Sequence, residues 1–147
     1  MVTWHRIDSN EGFDAHWDLL ALAVGYPDAD AQGRLRVMYM KDPTCQLFAV
    51  RDGGVLVGVV GWRLKDAASG EILHISVVKE RRGEGLGRTM ILGLQRLAPE
   101  VGSWIAETDD DALGFYLALG FHSADLGEVY PGVLRYRCTL AVGRPYA

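Results

Sequence analysis

The sequence is poor in the residues that build disulfide-rich, membrane-spanning or metal-binding proteins. It has only 2 cysteines, Cys45 and Cys138, in 147 residues, too few for a disulfide framework, so we expect both thiols to be reduced. Its longest apolar run, residues 55–62, contains two glycines and is far shorter than the ~20 residues of a membrane helix. No His or Cys cluster has metal-ligand spacing, and no signal peptide is recognisable. We therefore expect a cytoplasmic protein that uses no membrane and no metal.

A strong excess of charge of one sign is also absent. The formal net charge is −4 and the pI is about 5.5, which argues against a surface built for nucleic-acid backbones. Hydrophobic residues make up 49% and charged residues 23%, as in an ordinary globular protein. No repeat or low-complexity linker divides the chain. We predict a single domain over residues 1–147 with a short C-terminal tail at 141–147.

The spacing of apolar residues predicts alternating strands and helices. The sequence Asp52-Gly53-Gly54 predicts a tight hairpin turn, and Gly120 predicts the end of a helix. Both faces of the strand at 71–78 are mostly apolar, so we expect this strand to be central. The expected strands are 2–7, 46–51, 55–64, 71–78, 103–108, 121–130 and 133–140, and the expected helices are 13–22, 34–40, 86–97 and 109–119, with a loop at 25–33.

A glycine-rich loop before the helix at 86–97 is the most informative segment. Gly83, Gly85 and Gly87 alternate along the chain, which leaves room for a ligand against the backbone. The helix that begins behind them directs free N–H groups and a partial positive charge at that ligand. The window 79–88 has a charge of +2, and the rest of the chain carries −6. The pattern predicts that a phosphate or pyrophosphate binds here.

The loop does not match the two best-known nucleotide motifs. A P-loop needs lysine and then Ser or Thr after its last glycine, and Arg88-Thr89 does not provide this register. A dinucleotide fingerprint needs a glycine at position 88, where arginine stands, although Glu107 lies at about the distance expected of a ribose-binding acid. Dinucleotide binding therefore stays open as a minor alternative.

Two segments resemble the signatures of one enzyme superfamily. Arg82-Gly83-Glu84-Gly85-Leu86-Gly87 is similar to the acetyl-CoA pyrophosphate loop of the GNAT N-acetyltransferases. Ala112-x-x-Phe115-Tyr116-x-x-x-Gly120-Phe121 resembles the second GNAT signature, at a matching distance along the chain. The resemblance implies an α/β (α+β) fold with a mixed, mostly antiparallel sheet of six to seven strands and about four flanking helices. It also implies splayed central strands that form the cofactor cleft.

The resemblance further implies an activity and its partners. It implies transfer of the acetyl group from acetyl-CoA, as co-substrate, to a primary amine of a small molecule or peptide by direct attack in a ternary complex. We expect a monomer or homodimer that binds acetyl-CoA and an amine-bearing acceptor but no nucleic acid. A non-catalytic acyl-CoA-binding module that acts through a protein partner stays open as an alternative.

The same resemblance implies site residues. Tyr116 matches the tyrosine that protonates the leaving thiolate, which requires that its surroundings lower its pKa from about 10 or that the transfer is concerted. Backbone groups of the loop would bind the pyrophosphate, and those at the end of the strand at 71–78 would pair with the pantetheine. The expected cofactor-binding residues are Ile75, Ser76, Val77, Arg82, Gly83, Glu84, Gly85, Leu86, Gly87, Arg88, Asp109 and Tyr116.

Other polar residues are candidates for the acceptor side. Glu71 is the expected general base, with Glu107 or a chain of water molecules as alternatives. Asp109 stands where many members have asparagine, and it can cap a helix but cannot donate an amide hydrogen bond. His74 is expected to be a core histidine with a satisfied hydrogen bond. Asp28 and Asp30, in the predicted loop, are candidates for attracting an amine.

Overall fold

A computed structural model describes residues 1–142 of the chain. Within this range the chain forms seven strands, five α-helices and a 3₁₀ turn at Lys79–Arg81. The elements are β1 (Val2–Arg6), α1 (Asn10–Ala15), α2 (Trp17–Ala21), α3 (Ala29–Lys41), β2 (Cys45–Asp52), β3 (Val55–Leu64), β4 (Ser69–Val77), α4 (Leu86–Leu97), β5 (Ser103–Thr108), α5 (Asp110–Ala118), β6 (His122–Tyr130) and β7 (Val133–Ala141).

The strands form one mixed sheet in the order β1-β2-β3-β4-β5-β7-β6. β4 and β5 run parallel, whereas β1–β2, β2–β3, β5–β7 and β6–β7 pair antiparallel. This confirms the predicted fold class and the central place of β4. The predicted tail at 141–147 overlaps β7, which ends at Ala141, and residues 143–147 lie outside the described residues. No helix in residues 1–142 is long and apolar enough to cross a lipid bilayer.

The chain divides into two compact units. The first comprises Met1–Arg63 and Leu73–Leu94, and the second comprises Leu64–Ile72 and the chain from Gln95 onward. The first unit therefore holds β1 to β3, the last part of β4, the glycine-rich loop and most of α4. The second holds the start of β4, β5, α5 and the β6–β7 hairpin.

The first unit is built around the β2–β3 hairpin. Gly53 and Gly54 have φ values of +59° and +85°, so the predicted Asp-Gly-Gly turn is confirmed. A Cβ added at Gly58 would meet the side chain of Met90 in α4, whereas one at Gly61 would overlap the ring and hydroxyl of Tyr39 in α3. Because side chains three apart on a strand point to opposite faces, α3 and α4 cover opposite faces of this part of the sheet.

The structure corrects two predicted helices. The helix expected at 13–22 is split at His16, which leaves the helical conformation (φ −107°, ψ 6°) and whose Nδ1 donates to the carbonyl oxygen of Gly12 at 2.7 Å. The helix expected at 34–40 begins at Ala29, inside the predicted loop. Asp28 caps it by accepting a hydrogen bond from the N–H of Ala31 at 2.8 Å. Asp28 therefore caps α3, whereas the sequence predicted a loop that continued to residue 33.

In the second unit, β5 pairs with both β4 and β7. The parallel ladder with β4 runs from Ser69↔Ser103 to Ile72↔Ala106. The buried indole of Trp104 lies under Gly70, where a Cβ would come within 2.7 Å of the ring. Gly120 has φ +94° and ends α5, as predicted.

The β6–β7 hairpin leaves many apolar side chains in solvent. The register between β6 and β7 shifts twice, between Asp125 and Gly127 and between Glu128 and Tyr130. The exposed large apolar side chains of this hairpin are Leu126, Val129, Tyr130, Val133 and Leu134.

Candidate active site

The glycine-rich loop requires glycine for its backbone conformation. Gly83 and Gly85 have φ values of +81° and +82°, which residues with a Cβ rarely adopt. A Cβ added to either would meet nothing within 4 Å. Conformation, not lack of space, therefore dictates these two glycines. Gly87 is the second residue of α4, so its place in the motif has a different basis.

The first turn of α4 presents unsatisfied donors beside the loop. Thr89 is the first residue of this helix whose N–H finds an acceptor, the carbonyl oxygen of Gly85 at 3.0 Å. No acceptor among residues 1–142 receives the N–H groups of Leu86, Gly87 and Arg88. Gly85 has no side chain with which to cap them. The helix has 12 residues, so these donors lie at the positive end of a full macrodipole and form a site suited to an anion.

Ion pairs hold one side of the loop. The guanidinium of Arg81 donates to Asp52 at 2.9 Å and to Glu84 at 2.8 Å, and the N-terminal amine of Met1 donates to Asp52 at 3.1 Å. These bonds lower the pKa of Asp52, first of all through Arg81. The side chain of Glu84, a predicted cofactor contact, is thus bound to Arg81, while its backbone stays available.

A side-chain hydrogen bond connects the loop to the end of β4. Arg82 donates from Nε to the carbonyl oxygen of Val77 at 3.2 Å. The N–H of Val78 donates to the carbonyl oxygen of Val57 at 2.9 Å, which fixes the strand end against β3. Ser76 is buried and Ile75 is half-buried. The predicted pantetheine-binding and pyrophosphate-binding segments therefore adjoin one another within the first unit.

Tyr116 lies in the second unit, on α5, and is 5% exposed. Its ring packs edge-on against Phe115 and Phe121, with centroids 5.0 and 5.2 Å away. Burial raises the pKa of Tyr116 to about 12, and nearby Cys138 adds to the rise. The surroundings therefore do not lower the pKa of Tyr116, which was one of the two conditions for its role as a proton donor. A raised pKa disfavours stepwise donation to a free thiolate, so a proton-donor role for Tyr116 would require the other condition, a concerted transfer.

The other predicted polar residues lie in the second unit. Asp109 caps α5, where its carboxylate accepts from the N–H groups of Asp111 at 3.0 Å and Ala112 at 3.3 Å. Glu107 accepts a hydrogen bond from Arg137 at 2.9 Å. Glu71 is half-buried on β4, opposite Ile105 in the register with β5.

One polar pair in the first unit could not be predicted from the sequence. His74 of β4 forms a hydrogen bond through Nδ1 with the hydroxyl of Tyr39 in α3, at 2.6 Å. The two rings are tilted by 58°, with centroids 5.7 Å apart. Burial lowers the pKa of His74 to about 4, so its imidazole is neutral at physiological pH. The sequence predicted a core histidine with a satisfied hydrogen bond but not its partner; the structure shows the bond through Nδ1, and the residue is half-buried.

Comparisons with known proteins agree with this architecture. Residues 12–121 match the model of the Acetyltransferase (GNAT) family. The chain resembles the ribosomal-protein-S18-alanine N-acetyltransferase from Escherichia coli (TM-score 0.78, 16% identity, 100% of this chain and 99% of that one). It also resembles an aminoglycoside 6'-N-acetyltransferase complexed with coenzyme A (TM-score 0.78, 19% identity, 97% and 99%). A GNAT family acetyltransferase from Elizabethkingia anophelis with acetyl-CoA bound is similar as well (TM-score 0.73, 18% identity, 96% and 98%). A search of curated protein sequences finds no match.

The mixed seven-stranded sheet and the loop that precedes α4 define an α/β protein with the acetyltransferase fold. The solved structures are all less than 25% identical to this chain and show the fold alone. The family model covers most of the sequence. The chain belongs to the GNAT acetyltransferase family and is an acyltransferase.

Proposed function

We propose that the protein transfers the acetyl group of acetyl-CoA to a primary amine of a small molecule or peptide by direct attack in a ternary complex. The observation that carries the proposal is the row of free N–H donors at Leu86–Arg88, at the positive end of α4 and behind two glycines with positive φ. Such a row suits the pyrophosphate of coenzyme A. The exposed side chain of Arg88 adds positive charge beside it.

Two backbone segments would hold the acetyl donor. The segment 82–88 binds the pyrophosphate through its N–H groups, and Ile75–Val77 pair with the pantetheine through backbone hydrogen bonds. The ladder between β4 and β5 supports the second assignment, because it is formed by Ser69–Ile72 while β4 continues to Val77. The carboxylate of Asp109 already accepts two N–H groups, so in our proposal it shapes the start of α5 and does not donate to the cofactor.

Acetyl-CoA supplies an acetyl thioester, and the chain's own groups manage the protons. The amine nitrogen bonds to the acetyl carbon as the carbon–sulfur bond breaks, the thiolate gains a proton and the amine loses one. We assign the first proton to Tyr116, given as the carbon–sulfur bond breaks. We assign Glu71 as the group that accepts the second, directly or through water, because it lies on β4, the strand whose end is assigned to the pantetheine.

The charge distribution supports an amine as the acceptor. The window 79–88 carries +2, and the remainder of the chain carries −6. An ammonium-bearing acceptor is attracted to such a remainder, whereas a nucleic acid is repelled by it.

Calorimetric titration tests cofactor binding. Acetyl-CoA should bind, and ATP and NAD(H) should bind much more weakly. Gly85→Ala should weaken acetyl-CoA binding, because alanine is strained at φ +82°. Gly114→Ala, in α5 with nothing within 4 Å of the added Cβ, is the matched control and should bind like the wild type. No heat from acetyl-CoA at high micromolar concentration would refute the proposal, and tight NAD(H) binding would favour a dinucleotide-binding domain.

Release of free CoA with a panel of amines tests the transfer reaction. Polyamines, aminoglycosides, amino acids and peptides with free N-termini should include at least one acceptor. Tyr116→Phe should lower kcat more than the affinity for acetyl-CoA, and Glu71→Gln should lower the rate most at low pH, where the amine is protonated. Binding of acetyl-CoA without transfer to any amine would favour the non-catalytic module instead.

A further inference from the structure

The hydrogen bond between Tyr39 and His74 fixes the position of an imidazole on β4. Tyr39 is only 3% exposed, and its hydroxyl occupies the place where a Cβ at position 61 would lie. Any residue larger than glycine at position 61 would displace the phenol. The sequence thus leaves room beside β3 so that the Tyr39 hydroxyl can reach the Nδ1 of His74 at 2.6 Å.

The surroundings of the Tyr39 hydroxyl determine which nitrogen of His74 carries the proton. A buried hydroxyl loses free energy if its hydrogen has no acceptor, and Nδ1 of His74 is the only acceptor that it has among residues 1–142. Tyr39 therefore donates to Nδ1. In a neutral imidazole the hydrogen then sits on Nε2.

The other ring nitrogen of His74, Nε2, is not bonded to Tyr39. It has no hydrogen-bond partner among residues 1–142. Nε2 is also not among the side-chain N and O atoms of the described residues that are fully buried without a hydrogen-bond partner. His74 thus holds an oriented, uncharged N–H donor that is not completely enclosed by the described chain. Because Nε2 has no free lone pair in this tautomer, the imidazole does not serve as a general base.

The place of His74 along β4 suggests what this donor meets. It directly precedes Ile75–Val77, the segment assigned above to the pantetheine. The thioester is covalently attached to the end of the pantetheine, so in the proposed function its carbonyl would lie near this segment. Negative charge builds on that carbonyl oxygen as the amine attacks, and donors held in place before the reaction stabilise such charge most effectively.

We propose that Nε2–H of His74 donates a hydrogen bond to the thioester carbonyl oxygen of the acetyl donor, and that Tyr39 is the positioning residue that holds the ring in this tautomer. The proton stays on Nε2 throughout, so His74 stabilises charge and transfers nothing. This inference rests on the proposed acetyl transfer and adds a side-chain donor to it.

Nitrogen NMR of histidine-labelled protein tests the tautomer without any activity measurement. At neutral pH, His74 should show a protonated Nε2 and an unprotonated Nδ1, and saturating acetyl-CoA should shift the Nε2 resonance. Tyr39→Phe should move the Nδ1 resonance, because its donor is lost. An unprotonated Nε2, or no shift when calorimetry shows that acetyl-CoA is bound, overturns the inference.

Kinetics of three variants test the role of the donor. His74→Leu should lower kcat on the order of 100-fold with little change in acetyl-CoA affinity. His74→Gln should retain most of kcat, because its amide nitrogen lies near the position of Nε2. His122→Leu, at the exposed start of β6, is the matched control and should behave as wild type. If His74→Leu keeps kcat within threefold, or if His74→Gln is as impaired as His74→Leu, the inference is wrong.

The outcomes separate this inference from the proposed function. Acetyl-CoA binding and transfer with normal kcat in His74→Leu would overturn the role of His74 alone. No acetyl-CoA binding by the wild-type protein would overturn both. If His74→Leu does not fold, the tautomer and the acetyl-CoA-induced shift in the wild-type protein decide.

Discussion

Mild acid should destabilise the protein through His74. The pKa of this residue is lowered from 6.5 to about 4 by burial, so in the pH window between these values the unfolded chain binds a proton that the folded chain does not. His74 therefore makes its full contribution to the free energy of unfolding above pH 6.5, and this contribution is lost as the pH falls through the window. Lowering the pH from about 8 to about 5 should therefore decrease the free energy of unfolding by about 2 kcal/mol.

Few other groups near His74 change charge in this range. Tyr39 is the titratable side chain that contacts it, and burial raises the pKa of Tyr39 well above its usual value. Cys45 and Arg63 are the charged or titratable neighbours of Tyr39. Burial raises the pKa of the Cys45 thiol. Since Arg63 stays cationic, none of these three groups titrates between pH 5 and pH 8.

Urea unfolding of wild type and His74→Gln at both pH values isolates the effect. On acidification, the free energy of unfolding of the wild-type protein should fall by about 2 kcal/mol more than that of the variant, because all other groups contribute equally to the pH dependence of both proteins. NMR titration of His74 gives the folded-state pKa directly. Equal acid destabilisation of the two proteins within ~0.5 kcal/mol, or a His74 that titrates near 6.5, would refute the reasoning.

Three further changes should have distinct effects. Gly61→Ala should lower the free energy of unfolding by about 1–3 kcal/mol, because the new Cβ overlaps Tyr39. Gly114→Ala should instead raise it by up to ~1 kcal/mol, because alanine has the higher helix propensity. Chemical denaturation measures both changes, and an unchanged free energy of unfolding in Gly61→Ala would contradict the observed packing. Asp109→Ala should lower the free energy of unfolding by about 1 kcal/mol, because it removes the cap of α5, and Asp109→Asn should lower it much less. Equal decreases in Tm for the two variants would show that loss of the cap is not the cause. Arg81→Ala should weaken acetyl-CoA binding several-fold with only a modest change in Tm, because its pairs with Asp52 and Glu84 are partly exposed to solvent; calorimetry that gave an unchanged affinity would show that these pairs do not order the loop.

Local chemistry explains which elements of the fold could be predicted. The turn at Gly53-Gly54 and the helix end at Gly120 need positive φ, which glycine adopts more readily than other residues. The start of α3 was missed because Asp28 lies in a segment rich in turn-forming residues, where a cap and a loop aspartate look alike. The break at His16 depends on a side-chain hydrogen bond to Gly12, which no periodicity contains.

The candidate site also has parts that could be predicted from the sequence and parts that could not. The loop 82–88 was recognisable because its glycines and the helix behind it are contiguous in the sequence. The bond between His74 and Tyr39 joins residues 35 apart and exists only because α3 packs on β3 beside Gly61. Likewise, the burial that raises the pKa of Tyr116 comes from aromatic packing with Phe121. Packing of this kind follows from the tertiary structure and cannot be derived from spacing alone.

The irregular register of the β6–β7 hairpin has a consequence for aggregation. β6 is an edge strand of the sheet, and a long, straight, apolar edge invites another chain to pair with it. Two register shifts interrupt β6. Asp125 accepts from the N–H of Gly127 at 2.7 Å, and Glu128 accepts from that of Gly132 at 2.9 Å. The hairpin therefore exposes its apolar side chains on a bent and acidic edge, which protects the protein against growth into β-stacked polymers.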